Sequence, residues 1–211
     1  IKDSDVIILA VKPWILPDVV AQIAPHIDEE KHIIVSVAGG VDFFSFERMF
    51  YNCCDDKKIG HLRLFRVIPN TAIAVGKGMT FVCSQNDDAQ GIEMVKYLFS
   101  LMGEVAVIDE NHIDAGTALC SCGIAYVFKA VQAAVQAGVQ LGFRPTDALR
   151  YVNATVEGAV ALLQQDGALP QSEIDKVTTP GGMTIKGVNQ LEHDAFPSAI
   201  INAILAPLSK K

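Results

Sequence analysis

The chain has 211 residues, half of them hydrophobic and 19% charged, with 17 Lys and Arg against 24 Asp and Glu for a net charge of −7 at pH 7. This length and apolar content suit one large or two modest globular domains, and the acidic balance, offset by no basic tract, argues against a nucleic-acid partner. The longest unbroken apolar runs, such as Val6 to Val11, fall far short of the roughly 20 residues a bilayer span needs, and no signal peptide opens the chain, so neither a membrane partner nor export is expected.

The first half alternates strands and helices. Asp5 to Val11 is a continuous apolar run rich in Val and Ile, the mark of a strand buried on both faces of a parallel sheet. It ends at Lys12-Pro13, and this proline suits the first turn of a helix from Trp14 to Ile27. Ile33 to Val37 predicts a second strand, closed by Ala38-Gly39-Gly40 and followed by a short helix from Phe43 to Phe50. Leu64 to Ile68 predicts a third, stopped at Pro69-Asn70-Thr71. A strand from Met79 to Cys83, a helix from Asp88 to Met102 and a strand from Glu104 to Ile108 complete a doubly wound α/β pattern.

Ligands of such sheets lie beyond the carboxyl ends of the strands. Three turns are therefore candidates: Ala10-Val11-Lys12-Pro13, Val37-Ala38-Gly39 and Pro69-Asn70-Thr71, whose small or turn-forming residues let backbone approach a cofactor closely. Lys12 suits a pyrophosphate, because a cation at a helix start is mildly unfavourable unless an anion is near. Asn70 is equally ordinary turn chemistry. A G-x-G-x-x-G turn opening a helix is nowhere in the sequence, and Gly76-Lys77-Gly78, which precedes a strand, does not replace it.

From Asn111 the alternation gives way to a helical pattern reaching Gly142, with Asp109, Glu110 and Asp114 at its start as the helix dipole prefers. Phe143-Arg144-Pro145 breaks it, and a second apolar stripe runs from Thr146 to Gln165 before Asp166-Gly167 ends it. The five cysteines, Cys53, Cys54, Cys83, Cys120 and Cys122, lack zinc-ligand spacing and read as reduced thiols of a cytoplasmic protein. Near the C-terminus, Thr178-Thr179-Pro180-Gly181-Gly182-Met183-Thr184-Ile185-Lys186-Gly187 feeds a Pro-Gly-Gly turn into a new helix, whose unblocked amides form a ready site for a small anion. A tight loop between helices explains the spacing equally well.

The segments Asp114-Ala115-Gly116-Thr117, Gly123-Ile124-Ala125-Tyr126 and Thr179 to Ile185 together resemble the pyrroline-5-carboxylate reductase family, and Ala10 to Pro13, Val35 to Gly40 and Pro69 to Thr71 resemble its cofactor-side turns in the same order. The resemblance implies a partial Rossmann-like sheet over residues 1–109 and a helical dimerisation and substrate-binding domain over 110–211. It also implies a homodimer, larger rings of dimers occurring in the family, with NADP(H) or NAD(H) as cofactor and 1-pyrroline-5-carboxylate reduced to L-proline. The family's first βα units precede a segment like Asp5 to Pro13, so the resemblance also leads us to expect weak dinucleotide binding by this chain alone. Departures from the pattern are Ala72 for a second proline, Cys120 and Cys122 for serines, Ser121 for a glycine and Ile124 for a proline.

The resemblance assigns Ala10, Val11, Lys12, Pro13, Val37, Ala38, Gly39 and Asn70 to the cofactor and Thr117, Gly123, Gly181, Gly182, Met183 and Thr184 to the substrate. Amides around Gly181 to Met183 hold the ring carboxylate, and the Thr184 hydroxyl positions the C=N bond, too weak an acid to give up its proton outright. Two rivals stand beside this reading. One is a reductase of another cyclic imine or a hydroxyacid, whose base would be Lys129, although Tyr126 to Val135 reads as packed helix; the other is a non-catalytic dimerisation fragment.

Overall fold

The computed structural model describes residues 1–51, 53 and 60–209; the expected thiol of Cys54 lies outside them. The chain divides into two compact units, Ile1–Cys122 and Gly123–Lys211.

The first unit is built on a five-stranded sheet of order β1-β2-β3-β4-β5: Val6–Leu9, Ile33–Ser36, Arg63–Pro69, Gly78–Ser84 and Gly103–Val107. Strands β1 to β3 run parallel, β4 runs antiparallel to β3, and β5 runs parallel to β4. The reversal follows from chain length. Only a 3-10 turn, Thr71–Val75, lies between β3 and β4, whereas a parallel crossover needs about a dozen residues or more.

Helices cover both faces. On one, α1 (Leu16–Ile23) and α2 (Phe43–Tyr51) bring Leu16, Val20, Phe46 and Phe50 against Ile7, Leu9, Ile34, Leu64 and Phe81. On the other, α3 (Ala89–Ser100) brings Val95 and Phe99 against Ile33, Val35, Phe65, Val67 and Val82. Neighbours in β2 thus point into opposite cores, which is why Ile33, Ile34 and Val35 form an unbroken apolar run. Phe46 and Phe50 are fully buried with ring centroids 5.7 Å apart, edge to face; each contributes roughly 2 to 3 kcal/mol by leaving water.

Two expectations for the start of the chain change. β1 is not buried on both faces: Ile7 and Leu9 point into one core while Ile8 is exposed, because the core on the opposite face is built on β2, β3 and β4. Helix α1 begins later than expected, and Pro17, not Pro13, occupies its first turn.

After β5 the chain enters a helical stretch, Glu110–Gln140, that is long and apolar enough to cross a bilayer by length and composition alone. The sequence contains no such unbroken apolar run because polar residues interrupt it at helical spacing. Its early part, α4 (Ile113–Gly116), packs on the sheet: Ile113 joins the α1/α2 core, and a Cβ on Gly116 would stand 2.8 Å from the Phe81 ring. Residues 110–122 therefore group with the sheet unit. Thr117–Cys122 is a π-helical segment, a widened turn that often accompanies functional sites.

The second unit comprises α5 (Gly123–Gln140), α6 (Pro145–Leu163), α7 (Pro170–Val177), α8 (Met183–His193) and α9 (Phe196–Leu205). Helices α5 and α6 touch where Gly138 meets Ala148; a Cβ on Gly138 would lie 2.9 Å from that of Ala148. Ala148 is the one buried residue among the described residues of this unit, while Phe128, Val127, Leu141 and Phe196 are exposed. Most of the segment Tyr126 to Val135, expected to be packed, is exposed within a single chain, with Tyr126, Val131 and Val135 half-buried.

Candidate active site

The turns that follow β1 and β2 come together around one cavity of about 310 Å³, lined by Ala10, Val11, Lys12, Pro13, Val37, Ala38 and Gly39. The parallel register places Leu9 beside Ser36, so both strands end level and release their turns side by side. Ser36 begins the second turn by accepting a bond from the Ala38 amide through its hydroxyl at 3.3 Å. Asp42 ends it, its carboxylate accepting from the Ser45 amide at 2.7 Å at the start of α2. The hydrogen bonds from Ser45 hold the Asp42 carboxyl below the usual range.

The residues of this cavity fit an anionic, backbone-contacting group. Lys12 is exposed and forms no ion pair among the described residues, while Ala10, Ala38 and Gly39 carry at most a methyl. An ammonium free to pair beside backbone laid bare is the donor set that a pyrophosphate requires.

Asn70 does not line that cavity. It caps the 3-10 turn, its Oδ1 accepting from the amides of Ala72 at 3.1 Å and Met79 at 3.3 Å. Its Nδ2 donates to the Cys120 carbonyl at 3.5 Å. Both ends of its amide are thus engaged in joining the β3–β4 turn to the π-helical segment. Thr117 lies in that segment, half-buried, with its hydroxyl donating to the Ile113 carbonyl at 2.8 Å. Ser121 follows, its hydroxyl oxygen buried and without a hydrogen-bond partner among the described residues. Gly123 is the first residue of α5.

The C-terminal loop has the geometry its residues dictate. Thr179, Pro180, Gly181 and Gly182 form a turn closed by the Gly182 amide donating to the Thr179 carbonyl at 3.0 Å. Gly181, at φ +72°, takes the left-handed position that follows proline in a type II turn. Gly182 is the N-cap of α8 and offers no side-chain cap, so the first amides of the helix have no intrahelical partner. Met183 and Thr184 are the first two helical residues and are exposed. Lys129, the base of the rival reading, is exposed and donates to Gln132 at 2.9 Å.

One residue that the sequence pattern does not single out stands out in the structure. Arg66, in the middle of β3, is buried and pairs with Glu110, Nη1 to Oε1 at 2.7 Å. The signal was legible, since a lone arginine inside an apolar strand run demands a partner. By its local sequence Glu110 is a helix-opening acid. It also borders a larger hollow of about 810 Å³ on the α1/α2 face, walled by Phe43, Phe81, Cys83 and Leu119. Burial pushes the Cys83 thiol up to about 11, with the Glu110 charge adding to it.

A family model described as pyrroline-5-carboxylate reductase dimerisation matches residues 110–211. The chain is 34% identical over 208 residues to a pyrroline-5-carboxylate reductase of Glycine max, aligning 98% of itself with 72% of that protein. It is 37% identical over 217 residues to pyrroline-5-carboxylate reductase 1 of Dictyostelium discoideum, of whose length it spans only 38%. Among solved structures, the Plasmodium falciparum pyrroline carboxylate reductase with NADP bound superposes with a TM-score of 0.85 at 28% identity, covering 98% of this chain and 75% of that one.

Proposed function

The chain belongs to the pyrroline-5-carboxylate reductase family, and from that membership we propose that it reduces 1-pyrroline-5-carboxylate to L-proline, with the site residues in the roles that follow. The observation that carries this reading is the meeting of Ala10 to Pro13 with Val37 to Gly39 around one cavity.

When bound there, NADPH or NADH supplies the hydride, which is the cofactor's own chemistry. Lys12 holds the pyrophosphate, and the bare backbone of Ala38 and Gly39 permits close approach. The ring carboxylate of the substrate is held by the free amides at the start of α8, fixed in place by the turn at Gly181 and Gly182. Thr184 orients the imine by a hydrogen bond to the ring nitrogen, and net protonation comes from solvent or from an iminium already protonated. Thr117, whose proton is committed to Ile113, and Gly123 contribute wall rather than donors. Asn70 braces the turn that follows β3.

The exposed apolar faces of α5, α6 and α9 are covered, in this reading, by a second copy, giving a homodimer that larger rings extend. This cover, rather than lipid, accounts for the apolar length of Glu110–Gln140. Residues 1–109 then form the cofactor domain and 110–211 the dimerisation and substrate domain. Cys53, Cys83, Cys120 and Cys122 are free thiols, in keeping with a cytoplasmic enzyme. The deciding experiment follows oxidation of NADPH by its absorbance, with and without pyrroline-5-carboxylate. Imine-dependent oxidation that yields proline supports the reading, and its absence from the natural protein overturns it.

A further inference from the structure

One carboxylate oxygen joins two elements that the sequence keeps far apart. Glu110 Oε1 accepts from the Phe43 amide at 2.6 Å and from Arg66 Nη1 at 2.7 Å. Phe43 is the first residue of α2, directly after the turn that contributes Val37, Ala38 and Gly39 to the cofactor cavity. Arg66 sits over the Phe43 ring, its guanidinium carbon 5.9 Å from the centroid, and its Nε has no partner among the described residues. This carboxylate is the ion-pair partner of the buried guanidinium among the described residues, with the Asp42 charge also acting on it, and it holds the start of α2.

Within the turn Ser36 Oγ accepts from the Ala38 amide, and Ala38 and Val41 are buried in the α1/α2 core, while Gly39 and Gly40 are exposed and Gly40 takes φ +77°. Its far end is set by Asp42 from within and by Glu110 from across the sheet face. We propose that Glu110 is a positioning residue for the cofactor: by holding Phe43 and Arg66 together it fixes the Val37–Gly39 turn in the form that binds the dinucleotide. This rests on the function proposed above. Glu110 touches neither substrate nor cofactor in it. Removing a partner from a buried charge is costly, and here the Phe43 amide, at the end of the turn, loses the same acceptor.

The test compares Glu110→Ala and Glu110→Gln with the unaltered protein. In steady-state kinetics Glu110→Ala raises the KM for NADPH about tenfold, a change of about 1.4 kcal/mol, while kcat and the KM for the imine stay within about twofold. Glu110→Gln, which keeps an acceptor oxygen but not the charge, recovers part of the loss. Independently of activity, amide hydrogen exchange of residues 37–43 speeds up in Glu110→Ala while that of β2 and α3 is unchanged. Unchanged cofactor KM and unchanged exchange at 37–43 overturn the proposal. So does a uniform rise in exchange with kcat and both KM values altered, which would mark a purely structural residue. Should the alanine variant not fold, the glutamine variant carries the same readouts. If the unaltered protein reduces no imine, the proposed function falls, and the exchange comparison still decides the role of Glu110.

Discussion

Gly78 and Gly103 stand opposite each other as partners in the parallel pairing of β4 and β5, and a methyl on Gly103 would run into the backbone of Gly78. Gly103 also takes φ +138°, outside the range of ordinary side chains. Gly103→Ala therefore combines backbone strain with a clash that no rotamer relieves, and is expected to cost about 3 kcal/mol. Urea denaturation should show a lower midpoint. A midpoint within error of the unaltered protein would mean that the two strands are not in this register.

Asp88 caps α3, its Oδ1 accepting from the Gly91 amide at 2.9 Å and its Oδ2 from Arg63 Nε at 2.6 Å. The Arg63 hydrogen bond is the main cause holding its carboxyl below the usual range. A lowered folded pKa gives stability that is complete above the unfolded value near pH 4 and is lost as pH falls through the folded value. Asp88→Asn should thus cost about 1 to 2 kcal/mol at pH 7. The gap between the two proteins should narrow below pH 4, which paired urea titrations would measure.

Cys83 is buried in the sheet with its thiol raised to about 11. At pH 8 almost none of it is thiolate. Iodoacetamide should leave Cys83 unmodified in the folded protein and modify it fully in denaturant, as peptide mass spectrometry would report. Rapid labelling of Cys83 under native conditions would contradict its placement.

Gly181→Ala replaces the left-handed residue of the turn before α8. The cost is about 1 to 2 kcal/mol, met by reshaping the turn and so moving the amides proposed to hold the ring carboxylate. The KM for pyrroline-5-carboxylate should rise about tenfold while the KM for NADPH is unchanged. An equal rise in both would place the loop elsewhere in the mechanism.

Thr184→Ala should lower turnover about 10- to 100-fold, the equivalent of 1 to 3 kcal/mol for one lost orienting hydrogen bond. Full activity in this variant would remove the hydroxyl from the reaction.

Much of this architecture is readable before any coordinates. The strands announce themselves because both faces of the sheet are covered, so runs such as Ile33 to Val35 need no polar alternation. The reversal at β4 was also readable, in the short span between Ile68 and Met79, though strand and helix alternation alone suggests a uniformly parallel sheet. What the pattern cannot carry is pairing over distance. Glu110 lies 67 residues from Phe43 and 44 from Arg66, and local context makes it only a favourable charge at a helix start. Nor can it carry the π-helical segment at Thr117–Cys122, which differs from α-helix by one step in hydrogen-bond register and not by composition. The cavity turns were found because small residues at strand ends have a known use. Asn70 also stands at a strand end, and its amide is engaged with Ala72, Met79 and Cys120.

In the helical unit Ala148 alone is enclosed among the described residues, so the proposed partnership makes folding there a matter of mass action. Halving the number of chains removes RT ln 2, about 0.4 kcal/mol, from the assembled state. Dilution then works on this half of the molecule as a denaturant does, and the level of expression joins the sequence in deciding how much of it is folded.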